Sequence, residues 1–347
     1  MIFVPSEAIR NWLQKSRKLE LNDQSVDTKK MKECFEMIAS MKNVVKVYGD
    51  NTALNNLNLE IQEGEIFGLL GPNGSGKTTA IHILCGLIER NSGDVSVFGM
   101  SQDMKNLKTR QQMGLVTQEV TVFKDLTAKE NLQYFGGLYG LKGRELEDNI
   151  KEVLEFVELT DRANKKPGTF SGGMQRRLNI ACALVHKPKF LIMDEPTVAI
   201  DPQSRNHILE SVKKIAARGT TILYTSHYME EVQAICTKIA VMDEGRVIAQ
   251  GTADELVAQI QHEETVRITA ITATDILTNE IKAVAGVKEV SVNGNEYVIS
   301  STVGSGNLNR ILEVAQRNGG VAGFNADKPN LEDVFLTLTG KKLRDEE

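Results

Sequence analysis

What the sequence lacks narrows it first. Its four cysteines, Cys34, Cys85, Cys182 and Cys236, form no C-x-x-C pair and have no zinc-ligand spacing. That argues against a disulfide framework or a zinc module and for reduced, buried thiols. There is no basic excess, since 41 Lys and Arg face 46 Asp and Glu for a formal charge of −5. Broad nucleic-acid binding needs a cationic face to neutralise phosphates, so no nucleic-acid partner is expected. No window reaches the roughly 18 uninterrupted apolar residues of a membrane-crossing helix. The longest apolar runs are strand-sized, as in Phe190 to Met193, and Glu7, Arg10, Lys15, Arg17 and Lys18 interrupt any apolar signal core at the N-terminus. A cytoplasmic chain is expected, reaching a membrane only through a partner. No internal repeat or low-complexity run stands out.

What is present suffices for about two domains at 347 residues. Residues 1–40 read as an amphipathic helical extension. Ile9, Trp12 and Leu13 fall at helical spacing, and Met31, Cys34, Phe35 and Ile38 follow i, i+3, i+4, i+7. That extension is either a docking arm for a membrane surface or partner, or a helix lying on the main body. From Asn43 the pattern turns strand-like. Val44 to Tyr48 and Ala53 to Ile61 flank the turn Gly49-Asp50-Asn51, and Glu65 to Leu70 leads into a glycine-rich loop. Short strands at Gly93 to Phe98 and Gly114 to Thr117 precede an inserted helical stretch, about residues 119–185, where Thr127-Ala128-Lys129-Glu130 resembles a capping box. Strands at Phe190 to Met193, Thr221 to Thr225 and Lys238 to Met242 then alternate with helices. The predicted fold of residues 41–262 is α/β, with a mostly parallel sheet covered on both faces and an antiparallel β subdomain. Residues 263–347 read βαββαβ with a last helix near Leu331 to Leu338, the order of a small ferredoxin-like α+β domain.

The chemistry concentrates at Gly71-Pro72-Asn73-Gly74-Ser75-Gly76-Lys77-Thr78, between a strand and a helix opening with Thr79. Glycines let successive backbone N–H groups turn inward toward an anion, and the helix start adds its positive dipole end. Lys77 has the reach for β and γ phosphates, and the Thr78 hydroxyl is placed for Mg²⁺. Asp194 ends a four-residue apolar strand, at the carboxyl edge where open α/β sheets bind ligands, and is expected to hold Mg²⁺. Glu195 follows directly and is placed to activate a water in line with a γ phosphate. Ser171-Gly172-Gly173 forms a second anion nest at a helix start. One nucleotide needs one cradle, so the spare is explained if two copies pack head to tail, each nest closing over the other's nucleotide. Alone, Ser-Gly-Gly is an ordinary helix cap.

In this order and spacing, these segments resemble the ATP-binding subunit of ABC transporters over about Asn43 to Gln261. The resemblance implies ATP and Mg²⁺ as bound groups and ATP hydrolysis as the activity. It implies that Tyr48 stacks on adenine and that Gly71 to Thr78 is the Walker A loop, with Thr79 after it also binding the nucleotide. It makes Gln118 the Q-loop glutamine sensing Mg²⁺ and the attacking water, and Thr169 to Gln175 the signature. Phe190 to Glu195 becomes Walker B with Glu195 as catalytic carboxylate, Val198 to Asp201 the D-loop, and His227 the switch histidine on the γ phosphate. Phe170 and Met174 depart from the commonest signature, Val198-Ala199-Ile200 from the usual D-loop, and Thr117 stands where proline is frequent. The partners implied are a separate transmembrane permease and a second cassette, as homodimer or heterodimer, holding the chain at the inner face of the membrane.

The segment Glu119 to Thr127, Met174 in the signature, the tail Asn330 to Leu336 and the C-terminal domain are similar to the branch exporting drugs, antibiotics, peptides or lipids. An importer ATPase would share the cassette with a different accessory domain. A soluble ABC ATPase would need two cassettes in one chain or a coiled-coil insertion with basic surfaces, and neither is evident.

Overall fold

The computed structural model describes residues 37–104, 106–260, 263–327 and 330–340. The stripes drawn through Ile9, Trp12 and Leu13 and through Met31, Cys34 and Phe35 lie outside them. Ile38 does not continue a helix. It sits in the opening strand β1 (Met37–Tyr48), which pairs antiparallel with β2 (Asn51–Gln62) and β4 (Ser92–Val97). Ile38, Ala39 and Met41 are buried there, so pairing within a sheet overrides the helical spacing. A short β5 (Met100–Ser101) completes this sheet in the order β2-β1-β4-β5.

The central sheet has the order β10-β9-β3-β8-β7-β6. Its strands are β3 (Ile66–Leu70), β6 (Met113–Val116), β7 (Phe190–Met193), β8 (Thr221–Thr225), β9 (Lys238–Asp243) and β10 (Arg246–Gly251). All neighbours are parallel except β9 and β10, a hairpin through Glu244 and Gly245, both at positive φ. Every residue of β3, β7 and β8 is buried. Successive side chains of a strand point to opposite faces. Phe67, Leu69, Phe190, Ile192 and Leu223 therefore meet the antiparallel sheet and α1 (Lys77–Leu84), while Ile66, Leu70, Leu191, Met193, Ile222 and Tyr224 meet the helices behind. Unbroken apolar runs are what two covered faces require.

Those helices are α6 (Pro202–Ala217), α7 (Met229–Ile235) and α8 (Ala253–Ile260). The short α2 (Leu107–Arg110) precedes β6, and between β6 and β7 the helices α3 (Ala128–Leu138), α4 (Gly143–Phe156) and α5 (Gly172–Leu184) build a separate core. Thr127 and Glu130 form the expected capping box at the head of α3, each side chain bonding the other's backbone N–H. Cys85 and Cys182 are buried free thiols, pushed up by burial to about 12 for Cys85 and further for Cys182.

The C-terminal unit runs β11 (Glu263–Ala270), α9 (Asp275–Lys282), β12 (Val287–Asn293), β13 (Glu296–Thr302), α10 (Leu308–Asn318) and β14 (Val321–Asp327). Its antiparallel sheet has the order β12-β13-β11-β14, with its own core around Ile268, Tyr297, Ile299 and Ile311. The last helix, α11 (Leu331–Thr339), leaves this unit. Leu331, Val334 and Phe335, at i, i+3, i+4, pack into the core behind the central sheet with Leu256 of α8. Each such burial is worth about 1.5–3 kcal/mol. No helix among the described residues is long and apolar enough to cross a membrane.

Candidate active site

Four neighbouring strands of the central sheet end on one edge, and their ends carry nearly all the chemistry. β3 ends in the phosphate loop, β8 in Thr225-Ser226-His227, β7 in Asp194-Glu195 and β6 in Thr117-Gln118. Parallel register brings together residues far apart in sequence.

The phosphate loop runs from buried Gly71 and Pro72 through exposed Asn73 and Gly74 to Lys77 at the start of α1. Gly76 has φ of 102°, and a Cβ there would lie 2.5 Å from the Ala53 carbonyl oxygen, so only glycine fits. Gly74 also has positive φ but would meet nothing within 4 Å, leaving open space on the outer side of the curl. Ser75 Oγ is buried without a partner. Lys77, 6% exposed, donates from Nζ to the carbonyls of Gly71 at 2.7 Å and Pro72 at 3.2 Å. Burial lowers its pKa, opposed by the nearby charges of Glu195 and Asp194. Thr78 is exposed and Thr79 half-buried on the first turn of α1.

Asp194 and Glu195 are both buried, at 8% and 7% exposure. Asp194 Oδ1 accepts from Thr225 Oγ1 at 2.7 Å, and the same hydroxyl accepts from the Glu195 backbone N–H at 2.9 Å. Burial raises the Asp194 pKa, partly countered by the Thr225 hydrogen bond. The Glu195 carboxylate is held from two sides: Gln118 Nε2 donates to Oε2 at 2.9 Å, and His227 Nε2 lies 2.6 Å from Oε1. Glu195 has φ of 48° and Ala199 φ of 57°, a left-handed backbone that non-glycine residues adopt only where surroundings enforce it.

Tyr48 stands 47% exposed at the end of β1, with Lys46 Nζ 4.8 Å from its ring centroid. Its ring offers a face to a planar base. Ser171 caps α5, its Oγ accepting from the Met174 N–H at 3.3 Å, and Ser171 and Gly172 are exposed. Gly173 is buried, and a Cβ there would lie 2.3 Å from Ser204 Oγ of α6. The N-cap of α6 is Asp201, which accepts from the Ser204 N–H at 2.9 Å. Gln118, Glu195, His227, Asp194 and Lys77 thus gather at one edge, and Ser171, Gly172, Gly173 and Asp201 at a second place. Thr225, which stands in the sequence as the start of Thr225-Ser226-His227, also bridges the two carboxylate residues, a role its sequence position does not give. Sequence reading gave no role to Arg176, whose guanidinium donates to the carbonyls of Thr117 at 2.7 Å and of Gln118. Its signal was position alone, after the glycine pair.

A phosphate loop opening a helix, with paired carboxylates at the end of the strand next but one, defines a P-loop nucleotide hydrolase. The ABC transporter family matches residues 54–198, and the C-terminal domain of DrrA1-3-like ATP-binding proteins matches residues 251–339. The linearmycin resistance ATP-binding protein LnrL of Bacillus subtilis (strain 168) is 42% identical over 307 residues, covering 88% of this chain and 99% of that one. A Nod factor export ATP-binding protein I of Cupriavidus metallidurans is 37% identical over 310 residues, covering 89% and 99%. The daunorubicin resistance ATP-binding protein DrrA2 of Streptomyces coeruleorubidus is 36% identical over 308 residues, covering 87% and 95%. Among solved structures, an ATP-binding subunit of an ABC transporter superposes with TM-score 0.59 at 29% identity, over 64% of this chain and 92% of that one. The dimeric cassette MJ0796, in a post-hydrolysis state with ADP and Pi, gives 0.57 at 32%, over 62% and 98%. The chain belongs to the ABC transporter ATP-binding family and is an ATPase.

Proposed function

We propose that this chain powers an exporter of drug, antibiotic, peptide or lipid molecules, closing with a second cassette on ATP and reopening after hydrolysis beneath a separate permease. The observation that carries this reading is the convergence of Gln118 and His227 on the Glu195 carboxylate, beside the phosphate loop. The relatives, resistance and export ATP-binding proteins, support the exporter branch.

Backbone N–H groups from Gly71 to Thr79 and the Lys77 ammonium hold the phosphates, and Tyr48 stacks on adenine. The buried Ser75 hydroxyl, without a hydrogen-bond partner among the described residues, suits an anion in this curl. Thr78, Gln118 and Asp194 are oxygen donors that would hold Mg²⁺, which would supply positive charge against the phosphates. Glu195 accepts a proton from the attacking water, and Gln118 and His227 fix its orientation. His227 also reaches the γ phosphate. Ser171, Gly172 and Gly173 of one copy complete the other copy's site, with Asp201 at the seam. In this division residues 41–262 form the cassette and 263–347 an accessory domain. Phe123, on the loop after Gln118, packs edge-on to Tyr134 of α3 at 4.9 Å, and Tyr134 packs edge-on to Phe135 at 5.6 Å. Phe123 and Tyr134 are 44% and 47% exposed, an apolar surface suited to the permease.

The test is the Glu195→Gln protein at saturating ATP, sized by light scattering with and without its permease. Retained ATP binding, turnover lowered about 10²- to 10⁴-fold and an ATP-dependent dimer are expected. A strictly monomeric protein under both conditions would overturn the shared site, and failure to co-purify with any multi-span membrane protein would overturn the exporter reading.

A further inference from the structure

Behind the catalytic edge lies a second buried carboxylate that no step above uses. Glu231, on α7, is 2% exposed. Three hydroxyls donate to its single oxygen Oε2: Thr197 Oγ1 at 2.8 Å, Tyr224 OH at 2.9 Å and Ser226 Oγ at 2.7 Å. Arg205 Nε of α6 stands 3.4 Å from the other oxygen, and its guanidinium lies 3.9 Å from the centroid of the Tyr228 ring. All three hydroxyl residues are at most 1% exposed.

A carboxylate accepts only, so every hydroxyl around it must donate, which fixes three rotors at once. Burial, and then the Glu231 charge, raise the Tyr224 pKa and keep its proton on. Charge-assisted hydrogen bonds of this kind are roughly twice as strong as neutral ones.

The donors are not a random set. Ser226 immediately precedes His227, and its Oγ also accepts from the Tyr228 N–H at 3.0 Å, so it closes the turn that carries the histidine. Thr197 lies between Glu195 and Ala199, the two left-handed residues of the loop after β7. Along β8, Tyr224 and Ser226 face Glu231 while Thr225, on the alternate side, binds Asp194 and the Glu195 N–H. One strand end therefore connects the two carboxylate sites.

We propose that Glu231 is a positioning residue for hydrolysis: it fastens the His227 turn and the Glu195 loop to one anchor, so that histidine and carboxylate stay in register through each turnover. The proposal rests on Glu195 and His227 acting as described above. Its role is to set their geometry, not to touch nucleotide, so its loss lowers kcat and leaves ATP affinity alone.

The experiment measures kcat and KM for ATP, ATP affinity by direct titration, and thermal unfolding for wild type, Glu231→Gln, Glu231→Ala, Thr197→Val and Tyr224→Phe. The expected result is kcat down about 30-fold or more in Glu231→Ala, about tenfold in Glu231→Gln and about threefold in Thr197→Val and Tyr224→Phe, with KM and affinity within about twofold throughout. Thr197→Val and Tyr224→Phe keep side-chain volume, so they report even if the Glu231 variants fold poorly. Variants that melt earlier but turn over at the wild-type rate per bound ATP would overturn the anchor role. If Glu195→Gln also turns over normally, the assignment of the base fails instead, which separates the two outcomes.

Discussion

The glycine turns at the heads of α1 and α5 differ in their surroundings. At Gly71–Lys77 only Asn73 and Gly74 stand exposed: Lys77 is 6% exposed, Gly76 abuts the Ala53 carbonyl, and Asp194 and Glu195 lie buried alongside. At Ser171–Gly173 the outer residues stand in solvent, and only Gly173 is packed, against Ser204 of α6. The first turn has carboxylates, an amide and an imidazole arranged around it. The second has N–H groups at a helix start and a serine. One region is a nearly complete half of a hydrolytic site, and the other is a surface that gains a purpose only against something outside the protomer.

The largest expected effect breaks the enclosed half. Lys77→Ala removes the buried ammonium, and kcat/KM for ATP should fall about 10²- to 10³-fold with weakened nucleotide binding, measured by phosphate release and ATP titration. Next comes the exposed half. Ser171→Arg fills the nest with a side chain while leaving the protomer's own phosphate loop untouched, so ATP binding should persist while turnover drops about tenfold or more. Mixed with wild type, it should pull activity below the average of the two proteins, and activity on the simple average would break the contrast drawn above. Smaller still, Tyr48→Ala should raise KM for ATP about fivefold with kcat nearly unchanged, since one stack on an aromatic is worth about 1 kcal/mol at an exposed site.

The smallest effect probes the scaffold behind the signature turn. The His186 ring lies 3.5 Å from that of Tyr139, nearly parallel, and Nε2–H donates to the Met113 carbonyl at 2.9 Å. Burial lowers its pKa from 6.5 to about 4. The folded pKa is depressed, so above pH 6.5 the group is neutral in both states and stability is unaffected. As pH falls from 6.5 toward 4 the unfolded chain takes up a proton that the folded chain refuses, and stability declines. The slope contributed is at most about 1.4 kcal/mol per pH unit and less for a partly exposed ring. His186→Phe should flatten denaturant-midpoint curves in that window and leave ATP turnover per bound nucleotide unchanged.

The strands Phe190–Met193 and Thr221–Thr225 are readable in the sequence because a run of four apolar residues in the first, and of Ile222, Leu223 and Tyr224 between β-branched threonines in the second, fits a strand covered on both faces. β1 was cut short because Met31, Cys34, Phe35 and Ile38 fit a helical period, whereas Met37–Ser40 are claimed by pairing with β2 and β4. β10 was missed although Glu244-Gly245 is a turn signal, since its burial alternates too weakly to announce a strand. In the site, residues at the ends of legible strands were named and their tethers were not. Thr225 reaches Asp194 across 31 positions and Arg176 reaches Thr117 across 59, and such pairings exist only once the sheet order is known. Nothing in the sequence separates Glu231 from the adjacent Glu230; burial and three converging hydroxyls set it apart.

The return of α11 to the cassette bears on how this chain can be shortened. A protein ending before Leu331 would lose more than a dispensable tail, because Leu256 and its neighbours would face water where Leu331, Val334 and Phe335 now cover them. The βαββαβ unit is therefore flanked in sequence by two helices packed on the ATPase, α8 before it and α11 after it, and α11 rests on α7 and α8, on the reverse side of the sheet that bears the catalytic edge.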